Sequence, residues 1–222
     1  MLHLGSIRGT TIDVDLSFLI LIVFFIATSY NPAAGIQYAL LWAPVIFISV
    51  LVHELAHAAT IGLFGFGSSE ILLTGMGGVT MNRRRAKAWQ DMFISLAGPI
   101  SSFLLAWICN QISMRAGIAQ TDRMLQALLP ILALANMFWG IFNLIPLAPL
   151  DGGHAVRNFL RIFLREGSAF AIAVWIGMVV GTGVVIWALL GRQFFLALFI
   201  AFFIYRNYQH WAHFRSHGTP GD

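Results

Sequence analysis

Residues 43–64 read APVIFISVLVHELAHAATIGLF, an unbroken apolar stretch interrupted near its middle by His53, Glu54 and His57. A helix needs about 20 apolar residues to cross the hydrocarbon core of a bilayer. An ionisable side chain at mid-span costs roughly 2.5–3.5 kcal/mol on insertion scales, so three within five residues require a purpose. Residues four apart share one face of a helix, so the imidazoles of His53 and His57 can reach a single metal ion. Glu54 projects beside them, where a carboxylate can take a proton from a metal-bound water and deliver it to a leaving amine. The alternative is structural: histidines bonded to neighbouring helices and a glutamate lining a polar cavity. The pattern HExxH alone arises by chance in unrelated chains; its position inside a membrane span sharpens it.

The rest of the chain is of the same kind. Of 222 residues, 59% are hydrophobic and 10% charged, against about 25% charged in a soluble domain, and the mean hydropathy is +0.80. This is the composition of a polytopic membrane protein, so the net charge of +4 bears on loop orientation and gives no reason to expect a nucleic-acid partner. The single cysteine, Cys109, excludes an internal disulfide and a thiolate metal cluster. Asp13 and Asp15 precede the first apolar run where a signal peptide would carry basic residues.

Six transmembrane helices are expected, at about 16–30, 39–64, 92–112, 124–147, 168–190 and 193–209. The first is short for a crossing and the second long enough to tilt. Leu2 to Asp15, with Gly5 and Gly9, reads as a small interfacial hairpin. The segment at about 66–82 stays apolar yet carries Gly67, Gly75, Gly77 and Gly78. Its two β-prone runs joined by a glycine turn suit a β-hairpin. The fold expected is therefore an all-α polytopic membrane protein with two short hairpins, forming a single domain over 1–222 with no separate soluble domain. With the N-terminus inside, the cytoplasmic side receives Arg8, Arg83, Arg84, Arg85, Lys87, Arg157, Arg161, Arg165, Arg206 and Arg215. The other side receives Arg115, Arg123 and Arg192, so the positive-inside rule puts both termini in the cytoplasm.

A catalytic zinc usually has three protein ligands and one open position. The best third candidate is Asp151, in FNLIPLAPLDGG at 142–153. Pro146 and Pro149 break the fourth helix there, and Gly152 and Gly153 let the chain turn closely. His53 lies ~16 Å from the cytoplasmic end of its helix at 1.5 Å per residue, and Asp151 follows a span running towards that side. A helix-cap role is the rival reading.

HExxH on one span with N-x-x-P-x-x-P-L-D-G on a later one resembles the site-2 protease family of intramembrane metalloproteases. Ser95-Leu96-Ala97-Gly98-Pro99 and the glycine-rich apolar segment resemble further elements of that family, the latter its membrane re-entrant β-hairpin. The resemblance implies one Zn2+ per chain held by His53, His57 and Asp151, with Glu54 as general base. It implies a substrate-holding role for Asn143, and a substrate-facing hairpin containing Gly75, Gly77 and Gly78. The implied activity is hydrolysis of a peptide bond in or near the transmembrane segment of a membrane-protein substrate, in a multi-pass protein of the plasma membrane. Ser101 and Ser102 stand where an asparagine is common, and no catalytic role is assigned to them. The PDZ or CBS domains of many members have no counterpart in this sequence.

Other residues are discounted. His154 as a fourth ligand would close the site to water. Asn136 suits an interhelical hydrogen bond, and Gly177 with Gly181 suits close packing within the chain. His210, His213 and His217 lack a fixed geometry. A catalytically silent relative would have less need of Glu54 beside a full ligand set. A metal-ion transporter would need carboxylates or histidines along a pathway, and the other spans offer almost none.

Overall fold

The computed structural model describes residues 1–82, 86–115 and 123–217. Arg83, Arg84 and Arg85, part of the basic cluster used to orient the chain, lie outside the described residues. The chain divides into two compact units, Met1–Arg85 with Ala97–Gly140, and Ala86–Leu96 with Ile141–Asp222.

The first unit begins with β1 (Leu2–Ile7) and β2 (Thr10–Val14). Arg8 and Gly9 join them, both at positive φ, the backbone that a two-residue hairpin turn demands. After α1 (Leu16–Thr28), α2 (Ile36–Leu40) leads into α3 (Trp42–Leu63), and then β3 (Glu70–Thr74) and β4 (Gly77–Met81) follow. The two expected hairpins are one sheet. Its order is β1-β2-β3-β4, with β2 and β3 parallel from Thr11↔Glu70 to Val14↔Leu73. Ile12, Val14, Ile71 and Leu73 point from the sheet into a core shared with Phe18 of α1 and Ile46, Val50 and Ala58 of α3. Asp15 caps α1, accepting from the Ser17 amide at 3.0 Å and the Ser17 hydroxyl at 2.5 Å. These bonds hold its carboxyl below the usual carboxylate range. The Ser17 hydroxyl in turn accepts from the Gly75 amide at 2.9 Å, tying the start of α1 to the β3–β4 turn.

Next come α4 (Ala88–Arg115) and α5 (Arg123–Asn143). Val45 of α3, Cys109 of α4 and Leu132 of α5 form a second apolar cluster in the first unit, so Cys109 is a small buried residue as expected. The second unit holds α6 (Asp151–Leu160), α7 (Glu166–Leu190) and α8 (Phe194–His217), and there Leu147 and Leu150 cluster with Ile200 and Phe203 of α8 against Val184 and Val185 of α7. Arg157 of α6 and Arg161, which caps the end of that helix, both pair with Glu166 at the start of α7. A side chain at Gly177 would meet the Pro146 carbonyl, and one at Gly181 would meet Leu147 and Ile204. That glycine face therefore packs within the chain.

Among the described residues, four segments are long and apolar enough to cross a membrane: Ile36–Leu63, Ala88–Met114, Arg123–Asn143 and Glu166–Leu190. They match the second to fifth expected spans, except that the fourth ends at Asn143 where 147 was expected. Its last carbonyls are taken up by turn bonds from Leu144 and Ile145, ahead of Pro146, which has no amide to continue the helix. The first expected span is the short apolar helix Leu16–Thr28, 13 residues long. The sixth is part of α8, whose apolar run gives way to Tyr205, Arg206 and Asn207.

Candidate metal centre

Helix α3 carries His53, Glu54 and His57 in its buried face, at 2%, 4% and 6% exposure. The imidazole centroids are 4.9 Å apart in an edge-to-face arrangement, as one helical turn requires. Glycine explains how closely α4 approaches them. A Cβ on Gly98 would overlap Nε2 of both His53 and His57. One turn further along α4, the fully buried Ser102 hydroxyl lies 3.0 Å from His53 Nδ1. The tautomer that donates Nδ1–H to Ser102 presents the lone pair of Nε2 to a metal. A serine given no role on sequence grounds thus touches a candidate ligand. The available signal was helical spacing, since Ser102 falls on the face of Gly98.

On another side, strand β4 lies against Glu54. The Thr80 hydroxyl donates to Glu54 Oε2 at 2.7 Å, and a Cβ on Gly78 would overlap the Glu54 side chain. Thr80 was not singled out from sequence, because nothing local to it announces which helix its strand will cross. The other two hairpin glycines sit elsewhere. Gly75 packs on the Ser17 backbone, and Gly77, at φ 117°, packs against Trp139. Further up α3, Asn136 donates to the Ser49 hydroxyl at 2.8 Å and to the Leu132 carbonyl at 2.9 Å, the interhelical bond expected of it.

In the second unit, Asp151 opens α6 after Leu150 in extended conformation. The loop before it folds tightly, with Leu147 N–H donating to the Ile145 carbonyl and Leu150 N–H to the Leu147 carbonyl, both at 2.7 Å. Side chains at Gly152 and Gly153 would strike the backbone of Leu144–Ala148, so the glycine pair is what permits this fold-back. Asn143 is the last residue of α5 and is half-buried, and His154 is exposed on the first turn of α6. His53 and His57 of the first unit each offer an imidazole nitrogen, and Asp151 of the second offers a carboxylate oxygen. Two imidazole nitrogens and one carboxylate oxygen are a donor set suited to catalytic zinc.

The sequence profile of peptidase family M50 matches residues 41–117 and 110–186, segments that contain His53, Glu54, His57 and Asp151. The chain belongs to peptidase family M50. Among relatives of this M50 chain, the zinc metalloprotease MJ0392 of Methanocaldococcus jannaschii is 30% identical over 92% of this chain and 58% of its own length. Rip3 of Mycobacterium tuberculosis is 33% identical over 71% of this chain and 43% of its own length. The M50 chain thus spans about half the length of these two relatives. Among solved structures, the site-2 protease from Methanocaldococcus jannaschii superposes with a TM-score of 0.65 at 28% identity, covering 94% of each chain. The fold of this M50 member is the site-2 protease fold.

Proposed function

We propose that this chain is an intramembrane zinc endopeptidase that hydrolyses a peptide bond in or near the transmembrane segment of a membrane-protein substrate. The observation that carries the reading is the buried trio of His53, Glu54 and His57 on α3, with His53, His57 and Asp151 as the proposed donor group. On this reading those three residues hold one zinc ion. When bound, the ion supplies Lewis acidity, lowering the pKa of a water towards 7 and polarising a peptide carbonyl. Glu54 accepts the proton of the attacking water and returns it to the departing amine. The Asn143 amide donates towards the substrate carbonyl as charge develops on it. Gly75, Gly77 and Gly78 belong to the hairpin proposed to receive the substrate. Peptide hydrolysis needs an extended segment, and β4 at the sheet edge is suited to pair with one by strand addition.

Among the described residues, the buried imidazole and carboxylate side chains are His53, Glu54 and His57. A transporter would need such groups along a path, whereas a hydrolase needs them at one point. The wider proposal is that both units act as one protease domain, that α1 and α8 cross the bilayer with the four long spans, and that both termini are cytoplasmic in the plasma membrane. Purified protein would be incubated with peptides spanning a membrane helix, and the cut mapped by mass spectrometry. Cleavage within or beside the apolar segment is expected, while cutting confined to soluble peptides would count against it.

A further inference from the structure

Strand β4 is the edge of the sheet, and its residues alternate between two faces. Val79 and Met81 are exposed at 49% and 45%. Gly78 and Thr80, two residues apart, turn the other way, and both meet the same side chain, that of Glu54. The Thr80 hydroxyl has a single proton. Its oxygen lies 2.7 Å from Glu54 Oε2 and 3.2 Å from the Glu54 carbonyl oxygen. The shorter contact has the length of a charge-assisted hydrogen bond to a carboxylate. At Gly78 an added Cβ would overlap Cγ, Cδ and Oε1 of Glu54. The glycine therefore leaves room for the side chain and keeps the space beside Oε1 clear.

The strand that makes these contacts is anchored independently. Thr80 is paired with Ile71 and Gly78 with Leu73. Ile71 and Leu73 are fully buried and sit in the core with Ile46, Val50 and Ala58 of α3. Strand and helix are thus fixed to each other by apolar packing on β3, and the polar contact on β4 rides on that framework.

We propose that the inward face of β4 is the seat of the general base: Gly78 supplies the space and Thr80 the hydrogen bond that hold the Glu54 carboxylate in its working position. Both act as positioning residues through Glu54, and the proposal rests on the reading of Glu54 as the base. It adds that the hairpin edge offered to substrate and the alignment of the base are one mechanical unit.

The test uses zinc-loaded protein and a transmembrane peptide substrate that the wild type cleaves. Thr80→Val should lower kcat about tenfold or more, the scale of a hydrogen bond to a charged group, with KM within about twofold and zinc content unchanged. Thr80→Ser should recover most of that loss. A wild-type kcat in Thr80→Val, or a loss carried by KM alone, would overturn the role of Thr80. A thermal cycle reads the contact without activity. Gly78→Ala should lower Tm by at least roughly 2–4 °C in the wild type but far less in a Glu54→Ala background, where the overlapping side chain is gone. Equal destabilisation in both backgrounds would show that Gly78 serves the backbone and would refute the seat. Cleavage by Glu54→Gln at the wild-type rate would instead overturn the general-base reading, a different failure that the thermal cycle does not share.

Discussion

Gly98→Ala perturbs the centre by one methyl group and nothing else. The added carbon would overlap His57 Nε2 and would lie 2.5 Å from His53 Nε2 and 2.7 Å from His53 Cδ2. To reach the 3.4 Å of ordinary van der Waals contact, the His53 ring must retreat by roughly 0.7–0.9 Å. A ligand constellation tolerates displacements of about 0.5 Å, so both imidazoles leave the geometry that one ion requires. His53 also cannot retreat freely, because its Nδ1 is bonded to Ser102 on the same helix as the new methyl. The expected outcome is a loss of at least about tenfold in zinc affinity, the lower end of what misorienting a ligand costs. Helix propensity works in the opposite sense, since alanine is favoured over glycine by about 0.8–1.0 kcal/mol inside a helix. A metal loss with intact helicity therefore cannot be ascribed to a weakened α4. Zinc affinity would be measured by competition with a chromogenic chelator on detergent-purified protein, with circular dichroism as the control for folding. Wild-type zinc affinity in Gly98→Ala would refute the claim that α4 presses on the ligand face of α3.

Three further outcomes follow from the same account. Asp151→Ala should lower both zinc affinity and cleavage rate, whereas His154→Ala should retain the metal; the reverse pattern in metal analysis would move the third ligand by one helical turn. Ser102→Ala should weaken zinc binding by about 10–100-fold, the range for losing a hydrogen bond behind a metal-binding histidine, and unchanged affinity would leave Ser102 without a role in orienting His53. Once Cys109 is replaced, membrane-impermeant thiol labelling from outside the cell should reach Arg192→Cys and miss Lys87→Cys, while the opposite pattern would invert the topology.

What was legible in the sequence followed from periodicity and chemistry close together in the chain. His53 and His57 are one turn apart, so their shared face needed no tertiary information, and the long apolar runs announced α3, α4, α5 and α7. Pro146, Pro149, Gly152 and Gly153 mark a tight turn beside Asp151, which the backbone overlaps at both glycines bear out. The union of the two hairpins was not legible. It depends on the parallel pairing of β2 with β3, strands separated by all of α1, α2 and α3, and parallel pairing leaves no turn motif to read. Thr80 and Ser102 escaped for a related reason. Each acts on a residue of α3 from another element, and a threonine in a strand or a serine in an apolar helix looks the same whether it faces a ligand or lipid. The end of α5 at Asn143, not 147, shows a helix stopping ahead of proline although the apolar run continues.

The central claim joins a metal held by His53, His57 and Asp151 to a base at Glu54. It is tested most directly by measuring zinc stoichiometry and cleavage of a transmembrane peptide together, in the wild type and in Glu54→Gln, before and after chelation and zinc restoration. The account predicts one zinc in both proteins, cleavage only by the wild type, loss of that cleavage on chelation and its return with zinc. Loss of zinc in Glu54→Gln would place Glu54 among the ligands, and cleavage that survives either the substitution or complete metal removal would contradict the account.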